Sequence, residues 1–194
     1  GSTMSVSDNN ALRVGIAKIL CDTSDSNKVK IFADGNLSSG KPSIVIYNPS
    51  TRIRGDITSL DPYETKAALE TTCYGAFLVA QQAAKRMIPA GSGSIFFTGA
   101  SAGVRGFPNS SVFAMGKFGL RGLAQSLARE LQPKNIHVAH FVIDGGISSE
   151  TRPDNGEDRL LDPDEIAKTY LNFHRQNRSA WSWEIELRPW VERF

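Results

Sequence analysis

The sequence of 194 residues lacks the features that mark several specialised classes of protein. Its longest apolar runs, such as Ile44–Tyr47 and Ala76–Ala80, fall far short of the roughly 20 residues that a membrane-spanning helix needs. The 22 Lys and Arg oppose 20 Asp and Glu without forming a basic run, so the electrostatic footprint of a nucleic-acid-binding protein is missing. The sequence therefore predicts neither membrane insertion nor nucleic-acid binding.

Metal-binding and disulfide-forming residues are also scarce. The two cysteines, Cys21 and Cys73, stand apart from each other and from any close His, so neither a disulfide framework nor a zinc site is expected. His137 and His140 lie on one predicted strand at an odd separation, which makes them a poor metal pair. We expect both cysteines to be buried in a reducing compartment, the cytoplasm.

The chain begins with Gly1–Thr3, which we interpret as a tag remnant before Met4, with no signal peptide. Beyond it, apolar runs bounded by turn residues alternate with long helical patterns. The predicted order is a strand at Val14–Leu20, weak helical patterning at Val29–Ala33, a strand at Ser43–Tyr47, a helix at Pro62–Ile88 capped by Asp61, a strand at Ser94–Thr98, a helix from Ser111 to Leu131, and a strand at His137–Ile143. This order predicts βαβ units, and hence a three-layer α/β fold with a parallel sheet.

The last third of the chain changes character. Residues 148–160 are polar and loop-like, and residues 161–194 predict a C-terminal helix followed by an edge strand with alternating large apolar side chains at Trp181–Leu187. Trp181, Trp183 and Trp190 either line a substrate pocket or cover the sheet edge, and we favour the packing role. The whole chain, residues 1–194, is interpreted as one domain.

In an open parallel sheet, ligands bind outside the carboxyl ends of the strands. Those ends are small, polar or Gly-rich here, at Asp22, Asn48–Ser50, Gly99–Gly106 and Asp144–Gly146. They suit a crevice for an extended small molecule. The turn at Gly99–Gly106 is a poor dinucleotide-phosphate loop, because Phe107-Pro108 separates it from the next helix.

From Ile44 to Ile147 the chain resembles a short-chain dehydrogenase/reductase with a Rossmann-like fold. The resemblance rests on Val112–Phe118 (VFAMGKF), Leu123–Leu131 (LAQSLAREL) and Ile136–Val138 (IHV). The closing stretch Ser179–Trp190 resembles the ending of one bacterial and fungal subgroup of that family. The resemblance implies hydride transfer between NAD(P) and an alcohol or carbonyl compound.

The resemblance also implies roles for particular positions. The general acid of the family is a Tyr in Tyr-x-x-x-Lys, whose Lys binds the nicotinamide ribose; this sequence has the Lys as Lys117 but Phe113 in place of the Tyr. Ala100 stands at the position of the substrate-orienting Ser, with Ser101 adjacent, and Thr72 stands at the position of a water-holding Asn. Ser110, Ser111 and Tyr74 are alternative proton donors or, more simply, two helix caps and a packed aromatic ring.

For the cofactor, the resemblance implies that Asp22 and Asn48 contact adenine and its ribose. It implies further cofactor contacts from Lys117, and from Asp144 and Gly145, which follow the predicted strand at His137–Ile143. Only 21 residues precede Asp22, without a Gly-x-x-x-Gly-x-Gly motif, although a βαβ unit takes roughly 30 residues. The expectation is a chain truncated at its N-terminus relative to the family, with weakened NAD(P) binding.

Three interpretations stay open at this stage: a divergent NAD(P)-dependent oxidoreductase, a catalytically inactive protein on the same fold, and a truncated product that folds only by association. The two long helices, Pro62–Ile88 and Ser111–Leu131, are apolar over most of their surface. They match the helices that pair across the two-fold axis in the family, so we expect a homodimer or homotetramer.

Overall fold

The structure is a computed structural model that describes residues 42–192. The predicted strand at Val14–Leu20, the predicted helix at Val29–Ala33 and the candidate residue Asp22 lie outside the described residues. The helices are α1 (Pro62–Leu69), α2 (Gly75–Ala90), α3 (Ser111–Leu131) and α4 (Pro163–His174), and the strands are β1 (Ile44–Tyr47), β2 (Gly93–Thr98), β3 (Ile136–Ile143), β4 (Gly146–Ile147), β5 (Leu160–Leu161) and β6 (Glu184–Leu187).

The main sheet has the order β1-β2-β3-β6, and every neighbouring pair is parallel. This confirms the predicted Rossmann-like α/β fold. The register pairs Phe97 with His140 and His140 with Glu184, which places the middle of β3 between two strands that are distant in sequence. A second, two-stranded sheet joins β4 to β5, so short pairings bound the polar stretch 148–159.

One face of the sheet is covered by α2 and α3. Alanines at the contact let these helices approach the strands closely, and Tyr47, Phe97 and Met87 fill the remaining space. The opposite face is covered by α4, where Phe96, Phe141, Tyr170 and Phe173 form an aromatic core. None of the helices between residues 42 and 192 is long and apolar enough to cross a membrane.

The prediction of one continuous helix at Pro62–Ile88 is wrong, because the structure has two helices there, α1 and α2. Asp61 caps α1 as predicted, since its carboxylate accepts from the amides of Tyr63 and Glu64. A π-helical turn, Glu70–Tyr74, then separates α1 from α2, and the Gly75 amide bonds to the Glu70 carbonyl five residues back. Tyr47 of β1 explains the interruption, because its hydroxyl donates to the Thr71 carbonyl within this turn.

Candidate active site

The N-terminal half of α3 carries the residues that the sequence singled out. Ser110 occupies the N-cap position of α3, as predicted, but its side chain makes no cap hydrogen bond. Phe113, Lys117 and Arg121 follow at intervals of four residues and therefore lie along one side of the helix. This side faces the ends of β2 and β6. The helix thus directs an aromatic ring and two cations at the sheet edge.

Lys117 is buried at the end of β2. Its side chain is 2% exposed, and Nζ donates to the Thr98 carbonyl at 2.7 Å. Burial lowers the pKa of Lys117 to about 8, because the ammonium form loses its hydration. An ammonium group has three donors, and the Thr98 carbonyl is its one hydrogen-bond acceptor among residues 42–192. Lys117 therefore retains donors for a bound group.

Phe113 stands between two cations. The guanidinium carbon of Arg52 lies 5.2 Å from the centre of the ring, and Lys117 Nζ lies 5.8 Å from it. Both are cation–π distances. The phenyl ring has no proton to give, so Phe113 can pack and attract positive charge but cannot act as an acid.

Two tyrosines, Tyr74 and Tyr170, have different surroundings from those of Phe113. Tyr74 is half-exposed and its ring stacks on Phe77, with centroids 6.2 Å apart. The Tyr170 hydroxyl is 2.9 Å from Thr98 Oγ1 in the aromatic core under α4, and burial raises its pKa. Tyr170 is therefore a buried structural phenol, held on the face of the sheet opposite α3.

Thr72 and Ser101 both pack near Lys117. A Cβ added to Gly116 would lie 2.9 Å from the Thr72 methyl group, and the Thr72 hydroxyl accepts from the Thr51 amide at 3.0 Å. The turn that begins at Ser101 contacts the backbone of Lys117 through Gly103, where an added Cβ would lie 3.1 Å from the carbonyl oxygen. The fold thus gathers Thr72, the Ser101 turn, Phe113 and Lys117 around one half of α3.

Asn48 and the turn after β3 occupy the same edge of the sheet. Asn48 directly follows β1 and is exposed. Asp144 is buried and engaged by two arginines, with Arg105 Nη2 at 3.3 Å and Arg188 Nη2 at 3.5 Å from its carboxylate. Gly145 has φ +157°, and Pro189 occupies the space that its side chain would take. The Asp144 carboxylate therefore already has cationic partners within the protein.

A polar network beside Lys117 was not predicted from the sequence. His140 is fully buried, and its Nδ1 lies 2.9 Å from Glu184 Oε2. Arg121 binds both oxygens of Glu184, each at 2.7 Å. Burial lowers the pKa of His140 although Glu184 opposes the shift; the Glu184 pKa is lowered by Arg121 and His140 against the effect of burial. We infer a neutral His140 beside an ionised Glu184.

Arginines around the sheet edge are the other residues that sequence reasoning missed. Arg52 follows β1, Arg105 follows β2, Arg152 follows β4 and Arg188 follows β6. The recurrence of an arginine after four of the six strands is a signal that the sequence does contain. Among residues 42–192, Arg52 and Arg152 make no salt bridge, whereas Arg105 and Arg188 share Asp144.

The described residues fit one end of a dinucleotide. Lys117 with its remaining donors and the exposed Asn48 suit the hydroxyl groups of a ribose. Between residues 42 and 192, however, no Gly-rich turn leads directly into a helix that could hold a pyrophosphate, since Phe107-Pro108 stands between the Gly-rich turn and α3. The same stretch contains no cluster of three potential metal-binding side chains.

Comparison with known proteins agrees with this geometry. The chain is 34% identical to a short-chain dehydrogenase from Rhodopseudomonas palustris of known structure, with a TM-score of 0.77 over 88% of this chain and 73% of that one. It is 31% identical to short chain aldehyde dehydrogenase 1 of Euphorbia lathyris, over 63% of this chain and 44% of the relative. It is 28% identical to the 3-oxoacyl-[acyl-carrier-protein] reductase MabA of Mycobacterium tuberculosis, over 70% of this chain and 55% of the relative.

The chain spans about half the length of these two sequence relatives. An alcohol dehydrogenase from the archaeon Thermococcus sibiricus, solved with 5-hydroxy-NADP, shares the fold at 19% identity and a TM-score of 0.77, over 89% of this chain and 74% of that one. The sequence profile of the short chain dehydrogenase family matches residues 6–160, most of the chain. The chain therefore belongs to the short-chain dehydrogenase family.

Proposed function

We propose that this protein is an NAD(P)-dependent oxidoreductase in which Lys117, rather than an aromatic hydroxyl, holds the proton that is exchanged with the substrate. The observation that carries the proposal is the burial of Lys117 Nζ against the Thr98 carbonyl, beside the phenyl ring of Phe113. The resemblance of the chain to its family and the NADP analogue bound by the archaeal alcohol dehydrogenase support the choice of cofactor.

Different residues of the chain would bind the cofactor, orient the substrate and hold a water molecule. Lys117 would bind the ribose of the cofactor with the donors that Thr98 leaves, and Asn48 would line the same edge. The Ser101 hydroxyl would orient the substrate oxygen, since the turn that begins at Ser101 contacts the backbone of Lys117. The Thr72 hydroxyl can still donate while it accepts from Thr51, so it would hold a water on the route from solvent.

The proposed reduction balances atoms and charge. The cofactor, when bound, supplies a hydride to the carbonyl carbon of the substrate. The carbonyl oxygen takes a proton from the Lys117 ammonium, which leaves a neutral amine that solvent reprotonates. With a pKa of about 8, Lys117 is mostly protonated at pH 7 and is still acidic enough to give the proton up. Turnover in the reductive direction should therefore fall as the pH rises above about 8.

The test begins with a titration of the purified protein with NADPH and NADH, followed by fluorescence or calorimetry. Saturation at micromolar concentrations supports the proposal, and no binding at millimolar concentrations contradicts it. Lys117→Met should then lower carbonyl-dependent NAD(P)H consumption by about 100-fold or more. Lys134→Met is the matched control, because Lys134 is an exposed partner of Glu130 at the far end of α3.

Loss of activity in Lys117→Met should not reflect unfolding. The variant removes a charge whose burial is unfavourable, and we expect it to be more stable than the wild type by about 1–2 kcal/mol. Urea unfolding of both proteins at pH 7 measures this difference. A variant that is less stable would contradict our account of the Lys117 environment.

A second candidate is a catalytically inactive binding protein on the same fold. The contacts of Arg52 and Lys117 with the Phe113 ring favour this candidate. Both cations lie beside a ring that stands where the family has its acid, and this ring has no proton to donate. Phe113→Tyr helps to separate the two candidates. If the wild type does not turn over and this variant consumes NAD(P)H with a panel of carbonyl compounds, the protein has lost its acid and the Lys117 proposal is wrong.

The partner that we propose is a second copy of the chain. Four large apolar side chains of the π-helical turn, α2 and α3 are each 43–50% exposed: Tyr74, Phe77, Met115 and Phe118. A shared helix face in a homodimer would cover them. Light scattering should give twice the chain mass, and Phe118→Glu should give the single-chain mass; a monomeric wild type would contradict this proposal.

A further inference from the structure

Three guanidinium groups lie at the turn that follows β3. Arg105 and Arg188 both reach the buried Asp144 carboxylate, and Arg188 also pairs with Glu186. The guanidinium of Arg152 lies against Gly146, two residues further along the chain. Arg152 differs from the other two arginines, because it makes no salt bridge among residues 42–192.

Arg105 is incompletely used by Asp144. Its Nη2 is 3.3 Å and 3.4 Å from the two carboxylate oxygens, which are long distances for a charge-assisted hydrogen bond. Its Nε is buried and has no hydrogen-bond partner among residues 42–192. The side chain is 38% exposed and lies over the Phe107 ring at 5.2 Å. Arg105 is thus held in place by a weak ion pair, while part of its guanidinium remains exposed.

The guanidinium of Arg152 packs against the backbone of Gly146. If Gly146 carried a Cβ, that atom would lie 2.6 Å from Nη1 and 2.7 Å from both Cζ and Nη2 of Arg152. The nearly equal distances indicate that the planar guanidinium lies flat on the Gly146 backbone. The backbone of Arg152 is fixed by two hydrogen bonds to Ser149. Arg152 is exposed and its guanidinium makes no salt bridge among residues 42–192, so the guanidinium edge can bind an anion in a bidentate manner.

The proposed reacting groups adjoin this cluster. The Arg105 amide donates to the Ser101 carbonyl at 3.0 Å, so the two residues begin and end one short turn. A small molecule whose carbonyl oxygen lies at Ser101 could place a second polar group at Arg105.

We infer that Arg105 and Arg152 bind a carboxylate of the substrate, so that the substrate is an oxo acid or hydroxy acid whose acid group lies a few bonds from the reacting carbon. This inference rests on the proposed function. A carboxylate is favoured over a phosphate, because a planar monoanion matches the guanidinium edges and the one arginine of the three, Arg152, that makes no salt bridge among residues 42–192.

Calorimetry without cofactor tests the inference, using 2-oxobutanoate as the probe and its uncharged methyl ester as the matched ligand, at constant ionic strength. The wild type should bind the acid about 10-fold or more tightly than the ester. Arg105→Gln should abolish this preference, and Arg152→Gln should reduce it by about 3-fold or more. Arg159→Gln is the control, because Arg159 is exposed on the same loop and paired with Glu157.

Several results would overturn the inference: equal binding of acid and ester, no saturable binding of the acid, or an equal loss in Arg105→Gln and Arg159→Gln. Inorganic phosphate that binds more tightly than the oxo acid and is displaced by NADPH would assign these arginines to the cofactor instead. Because the probes are titrated without cofactor, a preference for the acid can persist even if NADPH does not bind, which separates failure of the inference from failure of the proposed function.

Discussion

The two faces of the parallel sheet are buried by different kinds of side chain. On the α3 face, alanines bring the helices close to the strands, and the buried polar groups Lys117 and His140 lie among them. On the α4 face, aromatic rings fill the layer, and His137 stacks on Trp181 with ring centres 4.7 Å apart. The same strand, β3, supplies both histidines, because residues an odd number apart point to opposite faces.

The difference shows that one strand can place two histidines in unlike surroundings. His137 has apolar neighbours and a backbone partner, the Ser182 carbonyl at 2.8 Å, so it acts as a flat ring with one satisfied polar edge. His140 has a charged partner, Glu184, which is also bound to Arg121 on α3. On the α3 face, the charges of Arg121 and Lys117 therefore act on His140, whereas the α4 face contributes mainly apolar packing.

The largest expected effect comes from the aromatic face. Phe141 is fully buried, its ring stacks on Tyr170, and its centroid lies 4.9 Å from that of Phe173. Phe141→Ala should lower the free energy of unfolding by about 3–5 kcal/mol, because it leaves a cavity in a rigid layer. Urea unfolding measures the loss, with Ile57→Ala, at an exposed position, as control. A loss equal to that of the control would contradict the packing role of this face.

The next effect comes from the polar network of the other face. Glu184→Gln keeps the shape of the side chain but removes the charge that Arg121 and His140 bind. We expect the free energy of unfolding to fall by about 2–3 kcal/mol, since breaking one partner of a mostly buried network leaves the others unsatisfied. Glu165→Gln, which breaks the exposed pair with Lys168, should leave the free energy of unfolding close to that of the wild type, because solvent screens this pair. Similar losses in both variants would show that the network adds nothing beyond a surface ion pair.

The smallest effect is a dependence of stability on pH. Burial lowers the pKa of His137, His140 and His174 below the ordinary value of 6.5, so the folded protein binds fewer protons than the unfolded chain. Their stabilising contribution is present above pH 6.5 and is lost as the pH falls below it. The melting temperature should therefore decline progressively below pH 6.5. His140→Gln should weaken this decline, and an unchanged melting temperature between pH 7 and pH 5 would contradict the proposed burial of these groups.

Much of the fold could be predicted because its signals are local. The apolar runs that became β1, β2 and β3 are bounded by turn residues, and Asp61 and Asp162 each stand before a proline at the start of a helix. The π-helical turn at Glu70–Tyr74 could not be predicted in this way. It depends on Tyr47, which is 24 residues from its acceptor Thr71 in the chain.

The site was predictable only in part, for the same reason. Phe113 and Lys117 are four residues apart in a predicted helix, so the sequence already placed them on one side of it. The resemblance to the family supplied their expected roles. The partners of Asp144 could not, because Arg105 and Arg188 lie 39 and 44 residues away on either side of it in the chain. Their common position at one edge arises only when parallel strands align their carboxyl ends.

By itself, the sequence determined the order of strands and helices, the family and the absence of a hydroxyl at position 113, since these depend on residue identity and short-range pattern. The tertiary structure alone decided the pKa of Lys117, the pairing of His140 with Glu184 and the pairing of both Arg105 and Arg188 with Asp144. These properties depend on desolvation and on distances between charges, and residues far apart in the chain set both.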